Sequence, residues 1–148
     1  MRIGLIAMSG VRAYNKELTE LGLTLPGFVE RNKIIASLPS LGLLTLAGMT
    51  PEKHEIEYIE VPDIRNLENL PNSFDVVAIS TYSAQIYEAY ELAGRYRKNG
   101  IKTAIGGPHV TCQPEEAKEH CDSVIMGEGE PVWLEFLEDC EKDRLRPF

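Results

Sequence analysis

Short apolar runs alternate along the chain with longer amphipathic stretches, the pattern of a parallel sheet covered by helices on both faces. Runs at Arg2–Met8, Glu55–Val61, Asp75–Ser80, Lys102–Ile105 and Ser123–Met126 predict five strands. Between the third and fourth, Ile86, Ala89, Tyr90, Ala93 and Tyr96 recur at helical spacing within Ser83–Asn99, and Gly100 closes that helix. Pro114-Glu115-Glu116 and Pro131-Val132-Trp133 put proline where a helix begins, and the first adds acids that suit the positive end of a helix dipole. The apolar stretch from Pro39 to Met49 is too long for a buried strand. It predicts a helix between the first two strands, with the leucines of Leu41–Leu46 as core and its glycines as points of close packing. The link from Pro62 to Phe74 reads either as an irregular crossover or as a short helix around Leu67–Leu70.

Right-handed crossovers restrict the sheet orders open to such a chain. Five strands of this kind predict a three-layer α/β fold, a Rossmann-like or flavodoxin-like open parallel sheet of order 2-1-3-4-5. One domain, 1–141, accounts for the pattern, with 142–148 as the start of a linker. The exception to the regular spacing is 9–38, about thirty residues between the first strand and its helix where such loops usually run about 2–6. It reads as a long loop or insertion folding over one face.

The chain has 148 residues, with 15 Lys and Arg against 23 Asp and Glu and a net charge of −8. That balance argues against nucleic acid as a partner, since binding phosphates needs clustered basic charge. No apolar stretch approaches the roughly 20 residues of a membrane span, and the N-terminus is too short in apolar residues for a secretory signal. A cytoplasmic protein is expected. Cys112, Cys121 and Cys140 match neither a disulfide framework nor a zinc or iron–sulfur spacing and read as ordinary reduced thiols.

In an open α/β sheet the ligand crevice lies outside the carboxyl ends of the strands. The segments following them are Ser9-Gly10-Val11-Arg12, Ser80-Thr81-Tyr82-Ser83-Ala84-Gln85, Gly106-Gly107-Pro108-His109-Val110-Thr111 and Gly127-Glu128-Gly129-Glu130. Their small residues let backbone amides approach a flat or phosphorylated ligand, although glycines at strand-to-helix turns also serve turn geometry alone. Gly127-x-Gly129 is not a dinucleotide fingerprint, and there is no Walker loop. His109 is a general base, a metal ligand or a hydrogen-bonded loop residue; no carboxylate or second ligand stands near it in the sequence. Glu128 and Glu130 suit either a ligand hydroxyl or the capping of a helix that starts at Pro131.

Taken in order, Pro39-Ser40-Leu41-Gly42-Leu43-Leu44, Asp75-Val76-Val77-Ala78-Ile79-Ser80, Ile105-Gly106-Gly107-Pro108-His109-Val110-Thr111 with Pro114-Glu115-Glu116, and Asp122 before Gly127-Glu128-Gly129-Glu130 resemble one known family. It is the N-terminal cobalamin-binding domain of cobalamin-dependent radical S-adenosylmethionine enzymes. The resemblance implies a corrinoid on the carboxyl edge of the sheet with its nucleotide tail threaded down between strands. It implies cofactor contacts from Ser9, Gly10, Ser80, Thr81, Tyr82, Ser83, Ala84, Gly106, Gly107, Pro108, His109, Gly127, Glu128 and Gly129, with Ser80, Ser83 and Ala84 leaving room for the tail. No catalytic or metal-ligating residue is implied in this segment.

Two departures qualify the resemblance. The Asp-x-His-x-x-Gly motif that lends cobalt a histidine in some cobalamin domains is absent, Ser9-Gly10-Val11-Arg12 standing in its place, and no Cys-x-x-x-Cys-x-x-Cys cluster motif occurs. The expectation is therefore a cobalamin-binding module, the N-terminal fragment of a radical S-adenosylmethionine Fe-S oxidoreductase or methyltransferase whose S-adenosylmethionine and 4Fe-4S chemistry lies in a downstream domain. The alternatives are the same fold without cobalamin, positioning a substrate or partner, and a small stand-alone enzyme on a phosphorylated metabolite with His109 and Glu128 as acid and base.

Overall fold

The computed structural model describes residues 1–11, 36–37, 39–67 and 71–148. Five parallel strands form one sheet: β1 (Arg2–Ala7), β4 (Glu55–Glu60), β5 (Val76–Ser80), β6 (Lys102–Gly106) and β7 (Ser123–Ile125), in the spatial order β4-β1-β5-β6-β7. Counted along the chain, that is the expected order 2-1-3-4-5. Two short strands, β2 (Gly10–Val11) and β3 (Ala36–Ser37), pair antiparallel with Gly10 opposite Ser37. The predicted insertion is thus rooted by a two-residue ribbon, while 12–35 and 38 lie outside the described residues, as does the expectation that this segment folds over one face.

Helices cover both faces. On one side α2 (Ile86–Lys98) lays Ala89, Leu92, Ala93 and Tyr96 against Ile6, Val77, Ile79 and Ile105, joined by the short helices α3 (Pro108–Cys112) and α4 (Pro114–Lys118). On the other side α1 (Leu41–Met49) and α5 (Trp133–Glu141) set Leu43, Trp133, Phe136 and Leu137 against Ile3, Leu5, Val76, Ala78 and Ala104. The strands alternate their side chains between these two cores, and both sets are apolar because both faces are covered.

Three local expectations are corrected. Residues after Gly107 form α3 rather than an open loop, with Pro108 at its first position, where a missing N–H costs nothing. The last helix starts at Trp133, two residues later than Pro131, and its N-cap Val132 receives no side-chain cap. Helix α1 is core only in part: Leu43 is buried and Leu46 and Ala47 pack half-buried beside it, but Leu41 is 74% exposed and Leu44 is exposed, and Gly42 and Gly48 have nothing close enough to be packing contacts. The Pro62–Phe74 link, read as an irregular crossover or a short helix around Leu67–Leu70, carries a 3-10 turn at Ile64–Asn66 capped by Asp63, and 68–70 lie outside the described residues.

The tail 142–148 returns along the open side of β7. Val124 N–H donates to Pro147 O at 2.9 Å, and Arg146 bridges Asp139 at 2.8 Å and Glu135 at 2.7 Å on α5.

Candidate functional site

The site begins with the residues that leave space. Ala78 on β5 and Ala104 on β6 sit in register, followed two residues on by Ser80 opposite Gly106, so the sheet face below its carboxyl edge carries four small residues where neighbouring positions carry Leu5 and Val76. Above them a cavity of about 490 Å³ opens between α1 and α5. Gly42, Leu43 and Leu46 form one wall and Val132 and Trp133 the other. A volume of this size suits a small-molecule site, for which about 300–1,000 Å³ is usual. Its lining is mostly apolar, with Ser80, Thr111, Glu128 and Glu130 as the polar side chains.

The walls are tied in place. Trp133 Nε1 donates to Thr50 Oγ1 at 2.8 Å, and Thr50 Oγ1 donates in turn to Leu46 O at 2.7 Å, joining α5 to the end of α1. At the other end of α1, Ser40 Oγ donates to Ser80 Oγ at 3.3 Å while accepting from Leu43 N–H at 3.4 Å, a helix N-cap that also reaches the mouth of the cavity. Ser40 N–H donates to Tyr58 Oη at 2.9 Å. Burial pushes the Tyr58 hydroxyl up from its ordinary range, the Ser40 N–H opposes this, and the nearby Glu60 carboxylate adds to it.

The rim is made by two glycine turns joined through one hydroxyl. Thr111 Oγ1 donates to Gly107 O at 3.0 Å and accepts from Gly127 N–H at 2.9 Å. Gly107 has a φ of 126°, and a Cβ there would lie 2.2 Å from Thr81 O, so only glycine lets the β6 turn pass this close to the β5 turn.

The predicted contacts divide between two places. Ser80, Gly106, Gly107, Pro108, Gly127, Glu128 and Gly129 line the cavity. Thr81 and Ser9 are buried at the edge, while Tyr82, Ser83 and Ala84 stand exposed at the turn that leads into α2; none of the five lines this cavity, whose floor is Ala78 and Ala104. Gly10 pairs in β2, with Pro62 O only 2.0 Å from where its Cβ would stand. His109 lies on α3 and, contrary to expectation, does have a carboxylate close by: Glu116 Oε1 on α4, at 3.6 Å from Nε2. Glu116 also accepts from Tyr90 Oη at 3.1 Å, and Tyr90 stacks on His120 with ring centroids 4.0 Å apart. Burial, with Glu116 adding to it, holds the Tyr90 hydroxyl well above its ordinary range.

Sequence reasoning missed Ala78, Ala104, Gly42 and Trp133. The signal for the first pair was an alanine at the middle of two adjacent apolar strands. Its meaning depends on register and on which helix covers that face.

A family model for the B12 binding domain matches residues 31–137. That range covers both glycine turns, both walls and the alanine pair. The chain belongs to the B12-binding domain family.

Among curated relatives, this B12-binding domain is 34% identical over 107 residues to a bacteriochlorophyllide d C-8(2)-methyltransferase of Chlorobaculum tepidum, covering 72% of this chain and 23% of that protein. It is 33% identical over 113 residues to the C-12(1)-methyltransferase of the same organism, with 74% and 24% covered. An uncharacterized methyltransferase of Pyrococcus horikoshii is 33% identical over 118 residues, with 72% and 26% covered. The chain therefore spans about a quarter of the length of the curated relatives it matches. A solved structure, the N-terminal domain of a hypothetical protein from Thermotoga maritima, is 21% identical over 86% of this chain and 92% of that one, with a TM-score of 0.43.

Among the described residues there is no group of three or more His, Cys, Asp or Glu placed to hold a metal ion, and no helix long and apolar enough to cross a membrane. Cys112 is exposed, and Cys121 and Cys140 are buried, all with free thiols. Burial pushes the Cys121 thiol up to about 11 and that of Cys140 to about 12, so both are protonated and inert near neutral pH.

Proposed function

We propose that this chain is the cobalamin-binding module of a methyltransferase whose S-adenosylmethionine and 4Fe-4S chemistry resides in a following radical S-adenosylmethionine domain. The observation that carries the reading is the cavity above Ala78 and Ala104, an apolar slot that runs from the carboxyl edge down the face of the sheet and is walled by helices on both sides. Membership of the B12-binding family and the methyltransferase relatives support it.

In this reading the slot takes the nucleotide tail. Gly42, Ala78 and Ala104 leave it room, Trp133 offers its indole as an apolar wall, and Glu128 at the mouth accepts hydrogen bonds from ligand hydroxyls. Ser9, Gly10, the Thr81–Ala84 turn and the Gly106–His109 turn would hold the ring, where glycine backbone allows close approach. Bound cobalamin supplies a cobalt centre that carries a methyl group, and the chain's part is binding and orientation. Ser9 and Gly10 would offer no imidazole to the cobalt. The three free thiols fit a reducing cytoplasm.

The test is a titration of the 148-residue chain with hydroxocobalamin and, separately, with S-adenosylmethionine, following visible absorbance and thermal stability. A ligand that binds the native state raises apparent stability by mass action. Stabilisation by hydroxocobalamin and not by S-adenosylmethionine is expected. Absence of any response to hydroxocobalamin would favour a corrinoid-free module that positions a substrate or partner.

A further inference from the structure

Buried polar atoms in folded proteins nearly always have partners, so those without one ask for an explanation. Five side-chain atoms among the described residues stand without: Arg2 Nε, Ser9 Oγ, Gln85 Nε2, Tyr96 Oη and His109 Nε2. Two have a carboxylate nearby, and a third lies in the core away from the carboxyl edge. Arg2 Nε has Glu55 Oε1 at 3.6 Å and His109 Nε2 has Glu116 Oε1 at 3.6 Å, while the Tyr96 hydroxyl sits in the α2 core.

Ser9 and Gln85 have none of these. Both lie at the carboxyl edge, Ser9 two residues past the end of β1 and Gln85 five past the end of β5. These strands are neighbours, with Ala7 opposite Ser80. Both residues are almost wholly buried, at 4% and 5% exposed. Their backbones are fixed, Ser9 N–H donating to Val61 O at 3.2 Å and Gln85 N–H to Tyr82 O at 3.0 Å. Gln85 occupies the N-cap of α2, where Ser, Thr, Asp or Asn would normally accept from the first turn, and its side chain makes no cap. Gln85 Nε2 thus finds no partner in the helix or the core, where an apolar residue of the same shape would fit at lower cost.

We infer that Ser9 and Gln85 are a polar contact pair for the carboxamide groups on the periphery of a bound corrin ring. The inference rests on the cobalamin reading above. The Gln85 amide N–H suits an amide oxygen as acceptor, and the Ser9 hydroxyl can donate or accept. Both atoms are shielded from water in the free domain, so contact with a ligand amide would require the edge to open locally, and the amides would then satisfy groups that the free domain leaves unsatisfied.

The ligand role and a structural role differ in sign. The test compares the unaltered chain with Gln85→Met and Ser9→Ala, measuring thermal stability without ligand and the affinity for hydroxocobalamin and for dicyanocobinamide, which has the ring amides but no nucleotide tail. The expected result is a melting temperature unchanged or raised in both variants, with affinity for both corrinoids weakened about five- to tenfold, the worth of one buried hydrogen bond. Ser9→Ala, the smaller change, decides the question if Gln85→Met folds poorly. Variants that bind both corrinoids as tightly as the unaltered chain would overturn the inference, whether or not their stability falls. If the unaltered chain binds neither corrinoid, the cobalamin reading itself fails and this assignment with it.

Discussion

Trp133 and Thr50, 83 positions apart in sequence, meet in a 2.8 Å hydrogen bond that holds α5 against the end of α1 and so fixes the width of the slot between them. The same Trp133 ring stacks on Phe136, with centroids 5.4 Å apart. Replacing it by Phe keeps most of the apolar area but leaves Thr50 without its donor. Trp133→Phe should cost about 1–2 kcal/mol, a lost hydrogen bond plus a small void. Urea unfolding followed by circular dichroism checks this, and an unchanged midpoint would mean that the two helices are held otherwise.

The two glycine turns of the rim should respond unequally to alanine. At Gly107 a Cβ would sit 2.2 Å from Thr81 O with a φ of 126°, so Gly107→Ala must move one strand end or the other. At Gly127, φ is 70° and the space is open. Gly127→Ala should cost only about 1–2 kcal/mol of left-handed strain, and Gly107→Ala more, with loss of corrinoid binding. Equal losses in thermal unfolding would contradict the close approach of the two turns.

Stability should fall as the medium is acidified below about pH 6.5, through His54. Burial lowers its pKa from the ordinary 6.5, the Met1 amine 3.3 Å from Nδ1 adds to this, and Glu141 opposes it. A folded pKa below the unfolded one means that the unfolded chain binds the proton first. The stability from neutral His54 is then complete above pH 6.5 and lost as pH falls through the depressed value. Unfolding free energies measured between pH 7.5 and 5 on the unaltered chain and His54→Gln should show a slope in the first that is flattened in the second. Parallel slopes would assign the effect to other groups.

The tail strap should loosen without Arg146. Its guanidinium bridges Asp139, whose side chain is only 10% exposed, and Glu135. Exposed ion pairs contribute little, about 0–1 kcal/mol, so Arg146→Ala should change global stability slightly. The readout is local: the Val124 amide, which donates to Pro147 O at 2.9 Å, should exchange its hydrogen markedly faster in the variant. Unchanged exchange there would mean the tail is held by other contacts, Phe148 under Lys118 among them.

How far the sequence announced all this differs from element to element. Residues such as Ile3–Ala7 and Val76–Ile79 are buried on both faces of a parallel sheet, so their apolar runs mark strands to within a residue. Helix α1 misleads for the same reason: Leu41, Leu44 and Met49 look like core, yet an apolar run says nothing about whether a partner is there to cover it, and all three are exposed. The rim glycines were legible because strand ends are where such folds put ligands. The floor was not, since Ala78 and Ala104 become a gap only once register places them side by side beneath two helices. His109 beside Glu116 likewise depends on how α3 and α4 meet across Gln113, which no spacing rule supplies.

The most direct test of the central claim is hydroxocobalamin affinity in Ala104→Leu beside the unaltered chain, with dicyanocobinamide as the tail-less control. Leucine here fills an existing cavity, so the variant should fold with equal or greater stability. The slot account predicts loss of hydroxocobalamin binding by tenfold or more with dicyanocobinamide affinity nearly unchanged. A stable variant that binds hydroxocobalamin as tightly as the unaltered chain would contradict it.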